Sequence, residues 1–128
     1  MLSFLLQRRH FVLLSRFEAN LTNDDLLRQE RLARAFSARE GPTRSIIDFT
    51  DVVRIEVDTA VIVALARRPI RRSRIFIVPL PEMFGLARLY TIHTGLAGQT
   101  EPLLVKTRAE AYDALGLQGP VFQPLALE

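Results

Sequence analysis

Ser45-Ile46-Ile47-Asp48-Phe49-Thr50-Asp51-Val52 sets two adjacent branched apolar residues directly ahead of a run of acids and hydroxyls. Consecutive apolar residues are what an interior parallel strand, covered on both faces, requires. A short buried strand is therefore read over residues 45–49. The polar residues that follow lie at its carboxyl end, where open α/β sheets place ligand and partner sites.

Working upstream, Gly41-Pro42 ends a helix that begins near Thr22. Thr22 can cap it, and Asp24 and Asp25 put negative charge in the first turn, where the helix dipole favours it. Leu26, Gln29, Leu32, Ala33 and Phe36 fall on one arc, and Gly41 suits a left-handed stop. Before this helix come two strand-length apolar runs, residues 2–7 and 10–18, joined by Arg8-Arg9, which is not a favoured tight-turn pair.

Downstream, residues 52–57 are read as an irregular loop, although Val53, Ile55 and Val57 alternate with Arg54 and Glu56. A helix follows over residues 59–67, capped by Asp58 or Thr59 and closed by Pro69. Its β-branched residues Val61, Ile62 and Val63 count against a helix. Residues 74–78 form a strand ended by Pro79. Pro81 opens a third helix reaching about Thr94, in which Gly85 permits close approach to the sheet or a partner. A fourth short strand covers residues 102–106 before a last helix, residues 108–115, with Thr107 as cap and Glu110 at the capping-box position. The Pro-containing tail beyond Gly119 is read as loose. The order β-β-α-β-α-β-α-β-α implies right-handed crossovers. The expected fold is α/β: one domain over residues 1–128, an N-terminal β-hairpin, then a mixed, mostly parallel sheet with helices packed on it.

Composition narrows the function. At 128 residues, 48% hydrophobic and 24% charged, the chain has the balance of a globular domain. No apolar run reaches the roughly 18–20 residues of a membrane span. Nearly every base is arginine, and Lys106 is the only lysine, so a net charge of +3 coexists with a pI near 10.2. A charge this modest argues against a dedicated nucleic-acid binder. Cysteine is absent, which excludes disulfides, thiolate catalysis and cysteine-based metal sites. His10 and His93 form no local ligand pair. The first ten residues have the arginines, serine and lack of acid of a transit peptide, but the strand pair is the preferred reading. The expected compartment is the cytoplasm, with no cofactor and no metal.

The hairpin, the helix entered through Leu21-Thr22-Asn23-Asp24-Asp25-Leu26-Leu27, the strand ending Ile47-Asp48-Phe49-Thr50-Asp51-Val52 and the capped helix after it resemble a STAS domain, the fold of anti-sigma-factor antagonists and sulfate-transporter tails. Ile77-Val78-Pro79 with Phe84-Gly85-Leu86-Ala87-Arg88-Leu89-Tyr90 is similar to a group of small bacterial STAS-like proteins. The resemblance spans about residues 4–117. It implies a non-enzymatic regulatory or protein-interaction module contacting a protein partner through residues 51–66. Typical antagonists carry Asp-Ser-Ser-Gly after the central strand, with a phosphorylated serine. Here Asp58 and Thr59 match the first two positions, but Ala60 and Val61 stand at the phosphoacceptor and the glycine. Thr59 could substitute for that serine; its plainer role is the helix cap.

Three constellations carry candidate chemistry. Asp51, Glu56, Asp58 and Thr59 form the expected interaction surface. Together with Asp48 these carboxylates could instead hold Mg²⁺ for phosphoryl transfer, but no phosphate loop accompanies them; a solvated loop with Asp48 bonded to nearby amides is the plainer reading. Arg67, Arg68, Arg71, Arg72 and Arg74 could bind an anion through their guanidinium forks. No aromatic is interleaved to stack bases. This cluster supports the alternative function, a binding domain for an anionic small molecule or lipid. Tyr90 and His93, three residues apart on a helix, could line a pocket. An exposed Phe84 and Leu89 would point to a homodimer.

Overall fold

The computed structural model describes residues 1–70 and 72–128. The chain is an α/β protein in which β1 (Leu2–Gln7), β2 (Val12–Thr22), β3 (Arg44–Glu56), β4 (Arg74–Ile77), β5 (Leu103–Val105) and β6 (Gln123–Leu125) form one mixed sheet in the order β5-β4-β3-β2-β1-β6. The pairs β2·β3, β3·β4 and β4·β5 are parallel, and β1 runs antiparallel to both β2 and β6. Among the described residues there are four helices: α1 (Asn23–Glu40), α2 (Thr59–Ala66), α3 (Pro81–Leu96) and α4 (Arg108–Ala114).

The connections explain the layering. Helices α1, α2 and α3 each join a strand to its next parallel neighbour, always stepping the same way across the sheet. Right-handed crossovers then place all three on one face. Their buried residues, among them Leu26, Phe36, Ile62, Leu65, Met83 and Ala87, join Phe17, Ile47, Phe49 and Phe76 in one apolar cluster. Phe17 stacks on Phe49 at 5.2 Å between ring centres, and Phe49 meets Phe76 edge-on at 6.1 Å. The opposite face carries α4 alone, whose Ala111 packs with Val12, Leu14, Ile46, Ile75, Ile77 and Val105.

The local signals act as the side chains dictate. Thr22 Oγ1 accepts from the Asp25 amide at 3.2 Å, and Thr107 Oγ1 from the Glu110 amide at 3.1 Å. Gly41 takes a positive φ of 96° while its N–H closes the last turn of α1 on the Ser37 carbonyl at 2.9 Å. The Arg8-Arg9 connection is a four-residue turn, since Gln7 pairs with Val12; the Gln7 side chain accepts from the His10 amide at 2.7 Å.

Four expectations need correction. Residues 52–56 are not a loop, and only Val57 and Asp58 link the strand to α2: β3 continues to Glu56, paired with a β2 that itself reaches Thr22. The alternating Val53, Arg54, Ile55 and Glu56 belong to this long parallel ribbon, which is bulged where Val52 pairs with Ala19 and Arg54 with Asn20. The tail is not loose: Gln123–Leu125 pairs with β1, Leu125 and Leu127 pack on the core, and Phe122 stacks on Tyr112 at 5.9 Å. Pro124 is tolerated there because β6 is an edge strand. Gly85 faces solvent with open space around it, so it provides no close approach within the chain. Phe84 and Leu89 are partly buried against the core; the exposed apolar residues of α3 are Ile92 and Leu96.

Candidate functional site

Asp48 lies on β3 level with Ile77 of β4, and Ile77 is level with Val105 of β5, so it sits at the carboxyl ends of both neighbouring strands. Its side chain points to the α4 face and is fully buried. Both carboxylate oxygens are occupied. One accepts from the Thr50 amide at 2.9 Å and from the Thr50 hydroxyl, and the other from Arg108 Nε at 2.7 Å. Arg108 opens α4, and its Nη2 also donates to Asp51 Oδ2 at 2.9 Å. Arg16 on β2 donates to that same oxygen through Nε at 3.1 Å and Nη2 at 2.9 Å. Hydrogen bonding from Arg16, ahead of that from Arg108, holds the Asp51 carboxyl below its ordinary range despite some desolvation. The Asp48 hydrogen bond holds the Arg108 guanidinium above its usual value.

This closed charge network uses Asp48 and Asp51 to seat α4 on the sheet. A divalent cation at Asp48 would have to displace Arg108. Among the described residues no three His, Asp or Glu side chains are grouped so as to hold a metal ion.

The remaining surface residues lie at the far end of β3. Glu56 is exposed and lies 3.6 Å from Arg54 Nε. Asp58 precedes α2 but does not cap it with its side chain. Its Oδ2 instead accepts from Asn23 Nδ2 at 3.0 Å, while its amide donates to Asn23 Oδ1 at 2.9 Å. This reciprocal clasp ties the start of α2 to the start of α1. Thr59 is exposed at the first position of α2, and it caps nothing. Between Asp51 and Glu56, the bulge turns Val53 outward to 84% exposure.

The arginine cluster does not act as one patch. Arg67 is exposed, and Arg71 lies outside the described residues. Arg68 donates to Glu30 Oε2 at 2.8 Å, and Arg34 donates to Glu30 Oε1 at 2.8 Å. Glu30 is buried, so sequence reading could identify it only as one more polar residue of α1. Arg74, 6% exposed, donates to the Tyr90 hydroxyl and to the Thr100 carbonyl at 3.0 Å, with its guanidinium 5.3 Å over the Tyr90 ring. Arg72 has a buried Nε with no hydrogen-bond partner among the described residues. Burial, and then the neighbouring Arg74 and Arg34, depress its pKa from the ordinary guanidinium value.

Arg72, Arg74, Glu30 and Tyr90 meet at a cavity of about 60 Å³ between the sheet and helices α1, α2 and α3. The rest of its wall is mainly apolar, including Phe49, Ile62, Phe76 and Met83. Tyr90 and His93 are thereby separated. Tyr90 turns inward against Phe76, 5.3 Å between ring centres, whereas half-buried His93 does not line the cavity.

Comparison of the chain with protein-family descriptions, characterised proteins and solved structures found no match. No helix among the described residues is long and apolar enough to cross a membrane.

Proposed function

We propose that this chain is a non-enzymatic, STAS-like interaction module, and that it meets a protein partner at the end of β3 and the start of α2. The observation that carries this reading is Val53. A β-branched apolar side chain 84% exposed on a strand is held there by a bulge, a device that re-aims side chains at functional edges. Strand β4 ends at Ile77, level with Asp48, so it does not extend alongside this part of β3. Exposed Arg54, Glu56, Asp58 and Thr59 follow Val53 along the chain, which supports an apolar contact with polar neighbours. Asp51 lies behind this surface and is committed to Arg16 and Arg108.

The test is affinity capture from a lysate of the source cells with the wild-type chain and with Val53→Asp as baits, read by quantitative mass spectrometry. Proteins retained by the wild type should fall at least tenfold with the variant, while the circular dichroism of the two baits remains the same. An identical captured set for both baits would overturn the proposed surface.

A further inference from the structure

We propose that the cavity beneath α2 is a binding site for a small monocarboxylate with a short apolar tail, its carboxylate on Arg72 and its tail among Phe49, Ile62, Phe76 and Met83.

The charge arrangement at the cavity's polar end leads to this ligand. Glu30 is the carboxylate in its wall, and its two oxygens already accept from Arg34 and Arg68. Arg74 has its own partners in the Tyr90 hydroxyl and the Thr100 carbonyl. Arg72 has neither a carboxylate within ion-pair distance nor an acceptor for its buried Nε among the described residues. A desolvated, unpaired guanidinium is costly, and an acceptor supplied from outside would remove much of that cost. Guanidinium is also the side chain best shaped to hold a carboxylate bidentately.

The same arrangement selects a single negative charge. Arg72 is the guanidinium of the wall whose buried Nε has no acceptor among the described residues, and a single carboxylate supplies one; the mainly apolar wall leaves the further charge of a phosphate dianion unsolvated. The apolar wall disfavours an ion without a tail. The size of the cavity limits that tail. At about 60 Å³ it is less than half the roughly 150 Å³ that accommodates benzene in an engineered protein cavity. A chain of a few carbon atoms fits without moving the core. Helix α2, only 8 residues long, forms the roof and is held at its two ends by the Asn23–Asp58 clasp and the Arg68–Glu30 pair. Entry past α2 therefore breaks the exposed Asn23–Asp58 clasp and the part-buried Arg68–Glu30 pair and leaves the sheet intact.

The experiment uses the whole chain labelled with ¹³C at its methionine methyls. Met83 reports from the cavity wall and Met1, 72% exposed, serves as an internal control. Sodium butyrate, sodium acetate, 1-butanol and inorganic phosphate are titrated separately at constant ionic strength and pH 7. The expected result is a saturable shift of the Met83 methyl with butyrate, with Met1 unmoved, at least tenfold weaker binding of acetate and butanol, and no shift with phosphate. Arg72→Gln should lose butyrate binding at least tenfold while retaining the wild-type melting temperature or exceeding it. No Met83 shift with butyrate overturns the site. Equal binding of butyrate and butanol overturns the anion-selective reading, and tighter binding of phosphate overturns the monocarboxylate. If Arg72→Gln fails to fold, the wild-type comparison of butyrate with butanol and phosphate still decides the proposal. None of these outcomes depends on the protein-contact surface at Val53.

Discussion

Replacing Arg108 by methionine keeps most of the aliphatic stem that packs at the start of α4 and removes the guanidinium that joins Asp48 to Asp51. Asp48, its side chain 1% exposed, is then a buried carboxylate without its cation. Stranding one member of a buried pair costs roughly 3–5 kcal/mol. Two features reduce that here. Arg108 is 41% exposed, so water can enter where the guanidinium stood. Thr50 still donates to Asp48 through its amide and hydroxyl. The expected loss is therefore about 2–3 kcal/mol. Asp48→Asn leaves no buried charge and should cost less, about 1–2 kcal/mol. The double variant should be less destabilised than the sum of the two by at least about 1 kcal/mol, because the stranded carboxylate is absent from it. Urea unfolding at pH 7 followed by far-ultraviolet circular dichroism measures all four proteins, and equal m-values license the comparison. A loss below about 0.5 kcal/mol for Arg108→Met, or strict additivity in the double variant, would refute the reasoning that this pair seats α4.

Two further outcomes are expected. Arg16 and Arg108 hold the Asp51 carboxyl below its ordinary value of 3.8, so Asp51 contributes stability that is fully present above that value and is lost as pH falls through the lower folded-state value. The wild-type advantage over Asp51→Asn should accordingly shrink between about pH 5 and pH 2 in thermal melts, and shrink at 1 M salt, since Asp51 and Arg16 are each 38% exposed; an advantage that grows on acidification would contradict the assignment. Asn23→Ala removes both bonds of the clasp on Asp58 and should cost about 1 kcal/mol, with faster amide exchange at the start of α2 and unchanged exchange in β4. Uniform acceleration throughout the chain would show that the clasp does not hold α2 separately.

Much of the fold was legible because its signals are local. Thr22 and Thr107 each sit three residues ahead of the amide they cap, and Gly41 occupies a conformation that disfavours other residues. Strict alternation of strands and helices after the hairpin then determines the handedness of the crossovers. What was not legible depends on distant partners. The extension of β3 to Glu56 exists because β2 extends equally far beside it, and the alternation of Val53, Ile55 and Val57 with Arg54 and Glu56 does not by itself show that such a partner is there. The three residues of β6 are too few to carry a pattern, and Pro124 argues against a strand anywhere except an edge. Asp48 could be singled out as an acid at a strand end. Its cation lies sixty positions later in the chain, and no spacing rule identifies Arg108 among so many arginines.

The arginines become informative once they are sorted by the face of the sheet they serve. On the α4 face, Asp48 and Asp51 are matched by Arg16 and Arg108, and both carboxylates are in use. On the other face, buried Glu30 meets Arg34 and Arg68, while Arg72 and Arg74 line the same cavity without a carboxylate of their own among the described residues. A run of arginines read as one anion-binding patch therefore divides into solvent-facing, structural and unmatched members. Only an unmatched cation gains from a ligand, because a matched one must first give up a partner of comparable strength. By that criterion Arg68 and Arg74 are poor choices for an anion site, and exposed Arg67 would hold an anion only in competition with water. Arg72 is the better one, since the fold surrounds it with apolar wall and a second cation, and its Nε has no acceptor among the described residues.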